Sequence, residues 1–234
     1  MEGILVPNKW ESEFFKRPIF NIEPREVKKL TESDFSELAQ SSLVCCKVKP
    51  SNYEEYNSLA NLRFFLAEGE VLFSKKLSLT QPLEKQSIGI FASTSELPGL
   101  LLKVKGLYTF SRFREPWFSV SQKDQFYQKW LENAVLGIFD DCCLLVIIRG
   151  EIAGFVTLRL HSSSVSIGLI GVLPAFQGQG VGRQLLQLAE AYALENGKAE
   201  VTVVTQIANS PALKLYSANN YMISNTAYWF YKQV

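Results

Sequence analysis

The sequence predicts an α+β fold: a mixed, mainly antiparallel sheet flanked by helices, with a smaller α/β unit at the N-terminus. Three observations carry this expectation. Two strongly apolar runs, 144–149 and 152–160, flank Gly150-Glu151 in the manner of an antiparallel hairpin. A third strand, 165–172, leads into a glycine cluster, helix, strand, helix and strand, not into the repeated strand–helix unit of a doubly wound parallel sheet. The polar, proline-containing segment 78–85 (SLTQPLEK) marks a boundary between a smaller unit, 1–80, and a larger one, 81–234.

In chain order, 32–39 carries a polar helical pattern and 41–49 alternates as a strand of small apolar residues. Pro50-Ser51-Asn52 signals a helix start, with apolar residues at helical spacing over 53–62. A second strand, 64–73, bent at Gly69, completes a βαβ-like unit over 41–78. Beyond the boundary come a short strand at 88–91 and a helix within 94–107, opened by Ser95 and Pro98. The arginine- and aromatic-rich FSRFREPWFSV precedes an amphipathic helix over 123–135 and then the hairpin. After the glycine cluster, a helix over 182–195 places Leu185, Leu186, Leu188, Ala189 and Tyr192 on one face and stops at Asn196-Gly197. A strand at 199–205, a helix at 210–218 capped by Ser210 with Pro211 first inside it, and an aromatic strand at 226–232 finish the chain. No internal repeat or low-complexity tract interrupts this order.

Several function classes fall away. A formal net charge of +1 gives no general attraction for polyanions, so nucleic-acid binding by bulk electrostatics is not expected. The longest apolar run, 142–148, is far short of the roughly 18 residues of a membrane span. The N-terminus lacks the basic and continuously apolar regions of a signal peptide, so the cytoplasm is the expected compartment. The cysteines form two adjacent pairs, Cys45-Cys46 and Cys142-Cys143, in apolar runs. Neighbours on a strand point to opposite faces, so each pair is a poor chelator, and buried reduced thiols are expected. His161 is the only histidine; it reads as a surface-loop residue, and no metal site or histidine-based triad is expected.

The densest chemical signal is Pro174-Ala175-Phe176-Gln177-Gly178-Gln179-Gly180-Val181-Gly182-Arg183. A Walker loop needs Gly-Lys-Ser/Thr, and here Gly182 is followed by Arg183-Gln184. A dinucleotide fingerprint needs a later third glycine and an early βαβ context, and neither is present. Three glycines exceed what a plain strand-to-helix turn requires. What remains is a nest of backbone N–H groups at a helix N-terminus, a site for a pyrophosphate.

Gln177-x-x-Gly180-x-Gly182 after an apolar strand resembles the acetyl-CoA signature of the GCN5-related N-acetyltransferases, and the surrounding order of elements matches too. The resemblance implies the acetyltransferase fold, acetyl-CoA as co-substrate and no metal. It implies that Gln177, Gly178, Gln179, Gly180, Val181, Gly182 and Arg183 cradle the pyrophosphate. The backbone of Leu169, Ile170 and Val172, on a strand that splays from its neighbour, would then meet the pantetheine arm. Downstream, Asn209-Ser210-Pro211-Ala212-Leu213-Lys214-Leu215-Tyr216 fits the family's asparagine near the cofactor arm, here Asn209, and its tyrosine acid, here Tyr216. Where the family ends this motif in Gly-Phe or Gly-Tyr, this chain has Asn219-Asn220-Tyr221. No glutamate or histidine occurs in 165–172, where many relatives keep a general base. Deprotonation through water, or an amine that binds neutral, is therefore expected.

The acceptor is addressed by SRFREPWFSVSQKDQFYQKWLENAV (111–135) and TAYWFY (226–231), with Gly69-Glu70-Val71 and the early Glu11-x-x-Phe14-Phe15. These resemble nucleotide-sugar N-acetyltransferases of the same family, which implies a dTDP-linked 4-amino-4,6-dideoxy sugar as substrate. Arg112 and Arg114 would fork onto its diphosphate, and Trp117 would cover a base or sugar. Acetylation of another small amine or a protein, and a catalytically inactive acetyl-CoA-binding regulatory domain, are the alternatives. The oligomeric state is left open, a homodimer included.

Overall fold

The C-terminal strand holds the two ends of the chain in one sheet. The computed structural model describes residues 4–78 and 89–234. Its strands are β1 (Leu5–Pro7), β2 (Ile19–Ile22), β3 (Leu43–Val48), β4 (Phe65–Lys76), β5 (Ile90–Phe91), β6 (Cys142–Ile148), β7 (Glu151–Leu160), β8 (Val165–Val172), β9 (Glu200–Gln206) and β10 (Met222–Gln233). They lie side by side in the order β1-β2-β3-β10-β4-β9-β8-β7-β6-β5. Of these nine pairings only β2 with β3 and β8 with β9 are parallel, as expected for a mainly antiparallel mixed sheet. The expected βαβ-like unit is present with one change. β3 and β4 run parallel with the intervening helix, but β10 is inserted between them, antiparallel to both.

The sheet is continuous from residues below 80 to those above, through β4 against β9 and β10. The expected linker, 78–85, falls almost wholly outside the described residues. So does the first residue of the expected strand 88–91, of which Ile90 and Phe91 form β5.

Among the described residues six α-helices cover the two faces: α1 (Lys9–Phe15), α2 (Tyr53–Asn61), α3 (Leu97–Val104), α4 (Val120–Val135), α5 (Val181–Glu195) and α6 (Ser210–Ala218). Alternation along the strands divides the interior. Val156 and Leu158 of β7 pack with Val181, Leu185, Leu186 and Tyr216 from α5 and α6. Phe155, on the opposite face, packs with Phe126, Tyr127 and Leu131 of α4 and with Phe113 and Trp117. On β3, Cys46 and Val48 join a third cluster with Leu59 of α2, while Cys45 faces the α4 side.

The first forty residues hold more than the sequence pattern suggests: β1, α1 and β2, with 3-10 turns at Pro24–Lys29 and Glu32–Phe35 replacing the helical pattern. The hairpin turn is Arg149-Gly150, both at positive φ, with Glu151 already paired to Ile148. In β4 the irregularity lies at Ala67, between the pairs Leu66↔Phe230 and Glu68↔Trp229, not at Gly69. All four cysteines are buried free thiols.

Candidate active site

The ladder between β8 and β9 holds for only three pairs, Val165↔Val201, Ser166↔Thr202 and Ile167↔Val203. From Gly168 onward the strands part, and a cleft of about 1190 Å³ opens there. A single small-ligand pocket spans roughly 300–1,000 Å³, so this space suits two substrates meeting. Along a strand, successive residues direct their backbone polar groups to alternate edges. Leu169 donates its N–H to Thr157 Oγ1 on the β7 side at 2.7 Å. Ile170 therefore turns its backbone into the gap, where the Tyr108 hydroxyl donates to its carbonyl at 3.4 Å.

Below the gap sits the glycine loop. Gly178 and Gly180 adopt φ of 75° and 80°, and Gly180 is the N-terminal cap of α5. A Cβ at either would meet nothing within 4 Å, so these glycines serve backbone conformation and open space, not packing. Gly182 differs: a Cβ there would lie 3.1 Å from the Leu215 side chain, so it lets α5 approach α6. The Gln177 and Gln179 amides donate to the carbonyls of Val172 (3.5 Å) and Ala175 (3.0 Å), bracing the loop from behind. Arg183 is exposed on the first turn of α5, and no carboxylate is recorded against it among the described residues.

Tyr216 and Asn209 line the other wall. Tyr216 is 2% exposed, its ring packed on Phe73 (centroids 5.3 Å) and Tyr221 (6.1 Å). Burial alone pushes its hydroxyl well above the usual phenol range. A full proton is therefore harder to draw from this hydroxyl than from a free phenol. Asn209, not Ser210, caps α6: Oδ1 accepts from Ala212 N at 3.3 Å while Nδ2 donates to Thr205 Oγ1 at 3.1 Å. Capping residues are read from a pattern that shifts easily by one.

Residues 107–221 match the Acetyltransferase (GNAT) family. Over 233 residues, 97% of each chain, the sequence is 34% identical to a dTDP-fucosamine acetyltransferase of Escherichia coli O6:H1. The chain belongs to the GNAT acetyltransferase family. A shorter stretch of 73 residues, 30% of this chain and 23% of the relative, is 40% identical to a mycothiol acetyltransferase of Jonesia denitrificans. The fold is that of a solved GCN5-related N-acetyltransferase from Sphaerobacter thermophilus, with TM-score 0.61 at 16% identity over 92% of this chain and 73% of that one.

As a GNAT enzyme, this protein is an acetyl-CoA-dependent N-acetyltransferase. The structure brings Leu169, Ile170, Val172, Gln177, Gly178, Gly180, Val181, Gly182, Arg183, Asn209 and Tyr216 to one cleft. Of the three residues expected to hold the acceptor, only Arg112 lines it. Its guanidinium is flanked by the rings of Phe113 (4.1 Å) and Trp229 (4.3 Å). It donates to Glu11 Oε1 and the Tyr231 hydroxyl, each at 2.5 Å. Burial opposes its charge, but Tyr231, Glu11 and Cys45 outweigh that and hold it above the ordinary arginine range. Arg114 lies outside the cleft lining and donates to the Ala67 carbonyl at 2.7 and 3.1 Å. Trp117 is buried edge-on against Tyr231 (5.3 Å), also outside the cleft.

Sequence reasoning missed Asn8, Trp10, Tyr108 and Asp140, which line the cleft; Glu70 and Trp130, inside the segments expected to address the acceptor, line it too. Glu70 accepts from Trp229 Nε1 at 2.7 Å and pairs with Lys47. His161 is exposed, as expected for a loop residue, yet it too borders the cleft, with Nε2 at 2.8 Å from Ser166 Oγ. No local signal announces such residues, because separate elements bring them together.

Proposed function

We propose that this enzyme moves the acetyl group of acetyl-CoA to the 4-amino group of a dTDP-linked 4-amino-4,6-dideoxy sugar of the dTDP-fucosamine type, for a cell-surface polysaccharide. The observation that carries this is the identity with dTDP-fucosamine acetyltransferase across 97% of both chains. Such coverage takes in Glu11, Glu70, Arg112 and Trp130, which line the cleft on the α4 side of the sheet.

In this reading the glycine loop, Gln177 to Arg183, receives the pyrophosphate of coenzyme A through backbone N–H groups at the start of α5. The edges of Ile170 and Val172 pair with the pantetheine arm, and Asn209 holds the turn beneath it. The neutral amine attacks the thioester carbonyl and the carbonyl oxygen becomes an oxyanion facing backbone N–H groups; the new ammonium gives up one proton to water as the C–S bond breaks and coenzyme A leaves as its thiolate. Tyr216 donates a hydrogen bond to the departing sulfur. Because Arg112 is bound to Glu11 and Tyr231, it shapes the acceptor wall with its charge internally balanced. In the same reading a smaller unit, 1–80, and a larger one, 81–234, share the acceptor wall, and the larger one carries the donor side. The proposed site of action is the cytoplasm, where acetyl-CoA and nucleotide sugars are met.

The test is acetyl-CoA consumption with dTDP-4-amino-4,6-dideoxygalactose beside its close stereoisomers, small polyamines and an amine-bearing peptide. Turnover of the first well above the others is expected. Loss of acetyl-CoA only with the peptide or polyamine would replace the sugar, and no turnover with any acceptor would favour a non-catalytic role.

A further inference from the structure

The splay of β8 coincides with a second irregularity on its other edge. The β7–β8 ladder runs Val156↔Ile170 and then Leu158↔Ile167, so Gly168 and Leu169 together stand opposite Thr157. This is a β-bulge, which bends a strand and re-aims its backbone groups. It falls where pairing with β9 ends, at Ile167↔Val203.

A buried polar chain reaches the bulge. Trp130 Nε1 donates to Asp140 Oδ2 at 2.9 Å. The same oxygen accepts from Thr157 Oγ1 at 2.6 Å, and Thr157 Oγ1 accepts from Leu169 N at 2.7 Å. The directions are fixed. An indole N–H and a backbone N–H only donate, so the single hydroxyl proton of Thr157 must go to the carboxylate. Thr157 is fully buried and Asp140 is 2% exposed, with Arg159 Nε 3.6 Å from its other oxygen. The glycine at 168 belongs to the same arrangement: a Cβ there would lie 2.2 Å from Asp140 Oδ2 and 2.8 Å from Thr157 Oγ1.

We propose that Asp140 and Thr157 are positioning residues that hold the Gly168–Leu169 bulge and so aim the backbone N–H of Ile170 at the thioester carbonyl. A regular ladder would direct the Leu169 N–H to a β7 carbonyl and let β8 run on beside β9, which would close the gap. The hydroxyl of Thr157, made a stronger hydrogen-bonding partner by the carboxylate behind it, takes that N–H instead. Neither residue touches the reacting atoms; they act through the strand. The proposal rests on acetyl transfer from acetyl-CoA and not on the identity of the acceptor.

Thr157→Val keeps the side-chain shape and removes the hydroxyl, and Thr157→Ser keeps the hydroxyl. With Thr157→Val, kcat is expected to fall at least tenfold, while the Kd for coenzyme A stays within threefold because the glycine loop is untouched. Thr157→Ser is expected to recover kcat to within threefold of wild type. A Thr157→Val enzyme that keeps kcat within threefold, loses affinity for coenzyme A instead, or is not rescued by serine overturns the proposal. Should Thr157→Val not fold, amide hydrogen exchange in the wild-type protein decides. The Leu169 amide is expected to be strongly protected although it lies beyond the last β8–β9 pair, and rapid exchange there refutes the anchor. If no sugar is turned over by wild type, the acceptor assignment fails while the exchange result still reads the anchor.

Discussion

Replacing Tyr216 by phenylalanine removes one oxygen from the wall of the cleft and leaves the ring between Phe73 and Tyr221. A free phenol titrates near 10 and a thiol near 8.5, so handing a full proton from one to the other is uphill by about 2 kcal/mol. Burial raises the Tyr216 hydroxyl further, so the gap in the protein is wider than that. Complete proton transfer ahead of C–S cleavage is therefore disfavoured, and the phenol acts as a hydrogen-bond donor to charge developing on sulfur. Losing one such preorganised donor costs about 10²–10³ in kcat, or roughly 3–4 kcal/mol. Thiol release measured at saturating substrates should fall by that factor, with the KM for acetyl-CoA nearly unchanged. Since burial keeps Tyr216 protonated, the wild-type rate should show no alkaline limb from this group between pH 6 and 9. Full kcat in Tyr216→Phe across that range would refute the role.

Two further outcomes follow from the loop and the thiols. Gly180→Val places a β-branched residue at φ 80°, which costs about 1–2 kcal/mol of stability, and pushes a side chain into the open concavity. Calorimetry should show at least a tenfold weaker Kd for coenzyme A, and unchanged affinity would mean that the phosphates sit elsewhere. Burial pushes Cys45 and Cys46 up to about 12 and Cys142 to about 11 from an ordinary 9.0. A raised folded-state value gives stability that is complete below pH 9 and is lost as pH climbs towards 11–12. Thermal melts should therefore be flat between pH 7 and 8.5 and fall above pH 9, and the folded protein should resist thiol reagents; fast modification at neutral pH would contradict the burial.

Much of the donor side was legible because its residues are neighbours in the chain. The strand Val165–Val172, the glycines at 178 and 180, and the helix from Ser210 to Ala218 all lie where local pattern places them. The acceptor side was not legible in the same way. FSRFREPW drew attention through its composition, but composition cannot tell a ligand-facing arginine from one that braces the fold. Arg112 reaches the cleft while Arg114 spends its donors on the Ala67 carbonyl. The carboxylates escaped for another reason. Glu11 and Glu70 stood in the acceptor segments without a chemical role, and Asp140 had no signal at all, because the three reach the cleft from α1, β4 and the loop after α4. Nor does alternation in one strand reveal a partner from the far end of the chain, so the insertion of β10 between β3 and β4 could not be foreseen.

That insertion makes the N-terminal strands and the rest of the sheet mutually dependent. β4 pairs with β10 on one edge and β9 on the other, so it lies inside the sheet and not at a border. Removing residues 1–80 would strip both neighbours of β10 and one of β9, leaving long rows of unpaired backbone groups. It would also take Val71 and Phe73 from the core that holds Tyr216. Each of those side chains contributes about 1.5–3 kcal/mol by burial, which is a large share of the 5–15 kcal/mol that typically separates folded from unfolded states. A fragment of residues 81–234 is thus expected to show no cooperative melt by circular dichroism and no binding of acetyl-CoA. If it melts cooperatively and binds the cofactor, the donor half is self-sufficient, and the N-terminal residues serve the acceptor alone.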